Sequence, residues 1–341
     1  MRVFNLMVGR AHGGLEQAAI DYAEMLDVQG VDTISFGHPS GWMRRTLSPR
    51  LGFRPLQCVT DYDPIAAWRL RRAVATLRPD LVLAHGTRAM RYAGRLSGVL
   101  KIGVLHNTRF KPEMARMDGF IAVSPRVAEA AAIQFPAKPI EIVPNMVRVG
   151  DGEGRPPFRD PPVIGSLGRL HPNKGFDGLL EALASPMLSG QPWRCVLGGD
   201  GPERGRLEAQ VERLGLTDRV CFTGWVSDRH AFFEALDLFV LPSREEPFGI
   251  VLIEAMAEGL PVVVTDTDGP SVIVKDTETG LIVPREDPER LARAVSAALG
   301  NKADAARMGA SGQRDVKARF SREAVAALLT SALDTLSRPH P

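Results

Sequence analysis

The feature that most narrows the fold is one strand–loop–helix passage, PSREEPFGIVLIEAMAEGLP, from Pro242 to Pro261. The apolar run before it, Leu236 to Leu241, reads as a buried strand. Pro242 and Ser243 stop that strand, and Glu245, Glu246 and Pro247 make a loop. From Phe248 to Glu258 the apolar residues Ile250, Ile253, Met256 and Ala257 recur at helical spacing, until Gly259 and Pro261 end the helix. Glu246 therefore lies on the loop and Glu254 inside the helix, with seven residues between them. At the helix start, Phe248-Gly249-Ile250 offers backbone N–H groups, and glycine lets a ligand approach the chain closely. Unpaired amides and the helix dipole together favour an anion such as a phosphate. One loop can thus present carboxylates to sugar hydroxyls and amides to phosphate, which is nucleotide-sugar chemistry. On the two glutamates alone, an ordinary structural unit with a solvated acidic loop is the simpler account.

The same alternation of strand and helix runs along the chain. Val3 to Met7 reads as a strand, GRAHGG as a glycine loop, and Leu15 to Gln29 as a helix, the opening of a nucleotide-type fold. Further strands are expected at Thr33–Phe36, Asp80–Ala84, Ile102–Leu105, Phe120–Val123 and Ile140–Val143, with helices at Asp63–Leu77, Thr87–Ser97 and from Ser124-Pro125 to Gln134. The segment from Gly37 to Tyr62 has no clear period and reads as irregular. Asp151 to Pro162, DGEGRPPFRDPP, loses all apolar period and reads as a linker. A second series follows, with strands at Val163–Leu167, Cys195–Gly198, Val220–Thr223, Val262–Thr265 and Leu281–Val283. Its helices are expected at Pro202–Leu214, Arg229–Ala235, Arg290–Leu299 and Ala303–Arg319. A last helix, Ser321 to Leu336, carries Ala324, Ala327, Leu328 and Ala332 on one side. The fold class is α/β, with domains at 1–150 and 163–320, a linker at 151–162 and a C-terminal helix at 321–341.

With 341 residues, 44% hydrophobic and 24% charged, the chain can bury two cores as a soluble globular protein. Cys58, Cys195 and Cys221 are scattered and read as core or near-core residues of a reducing compartment. No Cys/His spacing suggests a metal, the N-terminus is too briefly apolar for a signal peptide, and no run approaches the roughly 18 apolar residues of a bilayer span. The net charge of +2 hides an asymmetry: residues 1–150 hold 20 Lys/Arg against 12 Asp/Glu, and the rest is acidic.

Taken as a whole string, EPFGIVLIEA resembles the E-x7-E motif of retaining glycosyltransferases of the GT-B fold, family four, of the kind that builds bacterial surface glycans. The spacing selects Glu246, since eight residues after Glu245 stands Ile253. Pro247 stands where the family often has Gly, which stiffens the loop. GGLEQAAIDYAEML is similar to the family's first glycine loop, GRLHPNKGFDGLLEA to its GRL…KG block, and GGDGPERGRLEAQVERLGL to the block after that. FTGWVSD resembles the block whose loop brackets the nucleobase, and GPSVIVKDTETGLIVP the last, with Val272 where Glu is frequent. AVSPRVAE and VPNMVRVG resemble two blocks of the first half, although Met146 and Val147 replace the usual Gly-Val, so Asn145 carries no assigned role.

The resemblance implies two Rossmann-like domains facing each other across a cleft, the donor bound mainly by the second and the acceptor by the first. It implies transfer of a sugar from a nucleoside diphosphate to an acceptor hydroxyl with retention, in lipopolysaccharide or other envelope glycan synthesis. Arg169 and Lys174, five apart, would neutralise the leaving diphosphate; as residues alone they read equally as solvated surface cations. Glu254 would hold the ribose and Glu246 the sugar hydroxyls near the anomeric face. His106, at a strand's carboxyl end, would border the sugar, where a structural loop histidine is the alternative. Gly13 and Gly14 would abut the diphosphate, and Gly224, Val226, Phe248, Gly249 and Ile250 would complete the donor site. No cofactor and no metal is expected, because the cations take the metal's part. A nucleotide-sugar epimerase, a phosphorylase and a non-catalytic nucleotide-sugar sensor are the competing functions.

The basic first half points to a further partner. Between Gly41 and Arg116 stand 15 Lys/Arg against 4 Asp/Glu. With Leu70, Val74 and Leu77 facing the core, Trp68 and Arg72 point outward, flanked by Arg69 and Arg71, and Trp42 precedes Arg44 and Arg45. Tryptophan among arginines suits an anionic membrane surface, placing the protein in the cytoplasm on the inner face of the membrane. A solvated basic face or a site for acceptor phosphates reads from the same residues. Nucleic acid is not expected as a partner.

Overall fold

Short apolar runs become parallel strands throughout the computed structural model, which describes residues 1–10, 13–150 and 155–338. The chain divides into two units, Met1–Met146 with Arg322–Pro341, and Val147–Ser321. In the first, β1 (Arg2–Met7) leads through a glycine loop into α1 (Gly14–Val28) and β2 (Asp32–Gly37). Then come α2 (Trp42–Thr46), β3 (Gly52–Pro55), α3 (Pro64–Leu77), β4 (Leu81–His85) and α4 (Gly86–Ala93). β5 (Leu100–Leu105), β6 (Gly119–Ala122), α5 (Pro125–Gln134) and β7 (Ile140–Ile142) complete the series. The strands lie in the order β3-β2-β1-β4-β5-β6-β7. The order reverses between β1 and β4, and that crevice at the strands' carboxyl ends is where open α/β sheets bind ligands.

The second unit repeats the plan. β8 (Val163–Leu167) is followed by α6 (Phe176–Leu183), α7 (Pro186–Ser189), β9 (Arg194–Gly198), α8 (Arg204–Arg213) and β10 (Val220–Gly224). Next come α9 (Arg229–Glu234), β11 (Leu238–Leu241), α10 (Ile250–Ala257), β12 (Val262–Thr265), α11 (Pro270–Ile273) and β13 (Leu281–Val283). α12 (Pro288–Gly300) and α13 (Lys302–Phe320) end the unit. Its sheet order is β10-β9-β8-β11-β12-β13, all parallel, so the reversal falls between β8 and β11. The wholly buried strands β11 and β12 explain why LFVL and VVVT read as continuous apolar runs.

The final helix, α14 (Arg322–Ser337), joins the first unit's core. Val325, Ala326, Leu329, Leu333 and Leu336 pack with Tyr22, Met25, Leu26 and the strand residues Leu83, Ile102 and Val104. The expected stripe is out of phase: Ala332 is buried, but Leu328 is 48% exposed, because the bulkier set one position on fills the core.

Other expectations need correction. Gly37–Tyr62 is not irregular throughout, since β3 pairs with β2 in parallel register, Ile34 opposite Gly52. Its strand is hidden in sequence because backbone pairing at a sheet edge needs no apolar alternation. Trp42 does not stand free; it is half-buried against a cluster of Met7, Ala19, Ile20, Met43, Leu47 and Leu51. Val74 and Leu77 are half-buried where Leu70 is buried, and Cys221 is exposed where Cys58 and Cys195 are buried. Of the expected linker, 151–154 lies outside the described residues. The rest is fastened to the second unit: the Arg155 guanidinium donates to the carbonyls of Phe233, Glu234, Leu236 and Glu258. Arg159 pairs with buried Asp237 at 3.0 Å, and the unit boundary itself falls between Met146 and Val147.

Candidate active site

In the second unit the site is built at the β8–β11 crevice by two loops pressed together. The loop after β8 makes a tight turn, Pro172–Lys174, so Lys174 stands just before α6 rather than on it. Gly175 follows with φ +66°, and a Cβ there would lie 2.0 Å from the Pro242 carbonyl oxygen. Only glycine allows that approach. The amides of Arg244 and Glu245 donate to the Asn173 carbonyl, and the Arg244 guanidinium grips the Asp177 carboxylate at 2.8 and 3.0 Å. Pinned in this way, the loop after β11 turns Glu246 inward while Glu245 stays exposed. Glu246 is 8% exposed and its Oε2 accepts from Lys174 Nζ at 2.6 Å, with Ser243 Oγ at 3.4 Å. The backbone of Glu246 is held too, its carbonyl accepting from the Gly269 amide at 2.9 Å.

The neighbouring cation behaves differently. Arg169 is exposed at the end of β8, and its guanidinium has no partner among the described residues. The expected pair of cations is therefore one that Glu246 neutralises and one that remains available for a ligand. Gly249 caps α10 with φ +98°, so the helix begins at Ile250 and not at Phe248. The first-turn amides of a helix have no intrahelical acceptor, and Gly249 lies beside Glu246, where a Cβ would come 3.4 Å from Glu246 Cγ. Phe248 is buried edge-on against Phe320 at 5.8 Å, which fixes the entry to the turn. Gly224 ends β10 with φ +69° and its carbonyl accepts from the Gly199 amide; Val226 is half-buried beyond it.

Glu254 lies one turn into α10. One of its oxygens, Oε2, is hydrogen-bonded by Arg229 at the start of α9. Burial pushes the Glu254 carboxyl up, and the Arg229 guanidinium pulls it back down. Nothing in sequence spacing pointed to Arg229, because the partners come from separate elements.

The first unit's crevice brings two histidines together. β4 ends in His85 and β5 in Leu105, with His106 next. Their rings lie 5.9 Å apart, and His85 meets Tyr22 edge-on at 4.9 Å. Both His85 nitrogens, His106 Nε2 and the Tyr22 hydroxyl are buried without a hydrogen-bond partner among the described residues. Burial holds His106 down at about 4, so its ring is neutral near pH 7. His85 was missed in sequence, although LVLAH ends its strand as IGVLH does. Gly13 precedes α1 and Gly14 opens it; Ala11 and His12 of the loop lie outside the described residues. Buried Glu16 folds back over this loop: a Cβ on Gly9 would lie 2.3 Å from Glu16 Oε1. Burial raises the Glu16 carboxyl.

On α3, Trp68 is 54% exposed, Arg69, Arg71 and Arg72 are exposed, and the Arg72 guanidinium sits 5.4 Å from the Trp68 ring. Arg44 and Arg45 are exposed on α2, Arg44 over Phe53 at 5.3 Å. Sequence reasoning overlooked Val59, Tyr62 and Ile65, which are 70%, 62% and 61% exposed before and at the start of α3, with Tyr62 under the Arg91 and Arg95 guanidiniums at 4.9 and 5.3 Å. Among the described residues no group of His, Cys, Asp and Glu is arranged to hold a metal, and no helix is long and apolar enough to cross a membrane.

Residues 153–315 match the family described as Glycosyl transferases group 1, and residues 12–150 match Glycosyltransferase Family 4. The lipopolysaccharide core biosynthesis glycosyltransferase LpsE of Rhizobium meliloti is 30% identical, over 95% of this chain and 96% of its own. The lipopolysaccharide core biosynthesis mannosyltransferase LpsB of the same organism is 29% identical, over 81% of each chain. Among solved structures, Anabaena HepE in complex with UDP and glucose superposes with a TM-score of 0.83 at 21% identity, covering 98% of this chain and all of the other. Both α/β units, their sheet orders and a full-length relative agree: the chain belongs to the group 1 glycosyl transferases and has their GT-B fold of two Rossmann-like domains.

Proposed function

We propose that the protein moves a sugar from a nucleoside diphosphate to a hydroxyl of a lipopolysaccharide-core or related envelope acceptor, retaining the anomeric configuration and using no metal. The observation that carries this reading is the Lys174–Glu246 pair, which joins the loops after β8 and β11, with exposed Arg169 on the first of those loops and the start of α10 following the second. The barrier to glycosyl transfer is charge separation: an oxocarbenium-like sugar forms as the diphosphate leaves. Arg169, Lys174 and the amides of Gly249 and Ile250 are the donors for the developing negative charge, and a donor fixed on such charge is worth about 3–4 kcal/mol. Glu246 takes the sugar hydroxyls and Glu254 the ribose. His106, a neutral imidazole, suits a sugar hydroxyl better than a phosphate. Relatives named for lipopolysaccharide core synthesis favour that acceptor class, and HepE's complex favours a nucleotide sugar.

The exposed Trp68, Ile65 and Tyr62 among Arg69, Arg71 and Arg72 support docking on an anionic membrane. A lipid-linked acceptor would be met there, on the cytoplasmic leaflet.

The test is a thermal-shift panel of UDP, GDP, ADP and their sugars with EDTA present, followed by turnover with the sugar that binds and assignment of the product anomer. One nucleoside diphosphate should stabilise the protein without metal, and Arg169→Ala should lower kcat/KM by roughly 10²-fold or more. Activity that requires Mg²⁺ and survives that substitution would overturn the reading.

A further inference from the structure

The site assigns one oxygen of Glu254 to a ribose and leaves the other unexplained. Glu254 Oε2 is taken by Arg229, and Oε1 accepts no bond from a described residue. A carboxylate that must receive ribose hydroxyls needs its charge, a fixed orientation and one open oxygen. The contact with Arg229 provides all three. We infer that Arg229 is a positioning residue for the donor: it holds one oxygen of the Glu254 carboxylate, so that Oε1 faces the ribose. The inference rests on the nucleotide-sugar reading above and on the ribose assignment of Glu254.

The way α9 meets α10 supports it. Consecutive residues Arg229 and His230 on α9 reach Glu254 on α10 and Glu258 at its C-terminal cap, one turn apart. At the other end of α9, Arg155 ties the carbonyls of Phe233 and Glu234 to that of Glu258. The guanidinium is therefore delivered by a helix fastened at both ends. α13, also packed on α10, contributes the Gln313 amide to the Ala257 carbonyl, and its Asp315 is engaged by Lys275 and Arg319. Among the described residues, Arg229 is the charged group that acts on Glu254. His230, raised by Glu258, titrates one turn away and needs its own control.

The experiment titrates UDP, with GDP as a second arm, into the full-length protein by calorimetry between pH 5.5 and 8.5. For whichever binds, Arg229→Gln should weaken affinity about tenfold at neutral pH, a coupling of ordinary size for contacting residues. Burial raises the Glu254 carboxyl and Arg229 opposes that rise. Without Arg229 the carboxylate is therefore lost at higher pH as the solution is acidified, and the acid limb of binding should move up. Arg229→Lys should restore most of the affinity and the original limb, and His230→Asn should leave the limb in place. If Glu254→Ala weakens binding while Arg229→Gln changes neither affinity nor limb, the positioning role is wrong. If Glu254→Ala itself has no effect, the ribose assignment fails instead; if neither nucleotide binds the wild type, the functional reading fails.

Discussion

The two crevices are built alike and equipped oppositely. Each lies where the order of a parallel sheet reverses, β1 beside β4 in one unit and β8 beside β11 in the other. The second carries exposed Arg169 and the Lys174–Glu246 pair on the loops after β8 and β11, and the Arg229–Glu254 pair joins α9 to α10. The first offers Tyr22, His85 and His106, all uncharged near neutral pH, buried Glu16, whose carboxyl burial raises, and one cation, Arg10, which donates to His38. One backbone plan thus carries two different sets of side chains. Fixed charge suits a leaving diphosphate, whereas neutral donors and acceptors suit hydroxyl groups that never ionise.

The strongest way to break this contrast is to separate the two glutamates. Glu246→Ala should lower turnover by about 10²–10³-fold, yet leave binding of the bare nucleoside diphosphate intact, since Lys174 is then released from its pair. Glu254→Ala should weaken that binding by about 10- to 100-fold, as for loss of a hydrogen bond to a charged group. Calorimetry with the bare nucleotide and steady-state kinetics separate the two. Equal loss of nucleotide affinity in both variants would remove the division of labour.

A second test concerns the first unit's outer surface. Co-sedimentation should require anionic vesicles, weaken at high salt, and fall at least tenfold when Arg69, Arg71 and Arg72 become Ser, at about 1 kcal/mol for each basic residue near the lipid. Equal binding to neutral and anionic vesicles would sink membrane docking and leave acceptor phosphates as the patch's ligand. The arithmetic of charge overstates this surface, because Arg88 and Arg91 are engaged by Asp61, and Arg91 by Glu113 as well.

The smallest effect is on stability. His106 is depressed from 6.5 to about 4 by burial, so the folded protein binds fewer protons than the unfolded chain between those values. Stability should be full above about pH 6.5 and fall as pH drops toward 4, by up to about 1.4 kcal/mol per pH unit for one such group. His106→Gln should flatten that limb in a pH series of denaturant melts; an unchanged slope would place the acid sensitivity elsewhere.

Sequence patterns carried the fold as far as apolar runs carried it. β8 and β12 coincide with their expected limits because they are wholly or largely buried and bounded by turn residues, and β13 does so with only Val283 buried. β3 escaped because Gly-Phe-Arg-Pro pairs by its backbone alone. The E-x7-E spacing singled out Glu246 and Glu254, since both sit on one strand–loop–helix unit. Arg229, His85 and the Lys174–Glu246 pairing were not legible, because each depends on where different elements meet.

The last helix has a consequence in time. The first unit's core is closed by Val325, Leu329, Leu333 and Leu336, which emerge after the whole second unit has been made. At 5–20 residues per second, the nascent first unit waits roughly ten to forty seconds with its apolar face uncovered. The first unit to be translated is therefore the last to be finished, and a chain truncated before Arg322 lacks the segment that closes its N-terminal core.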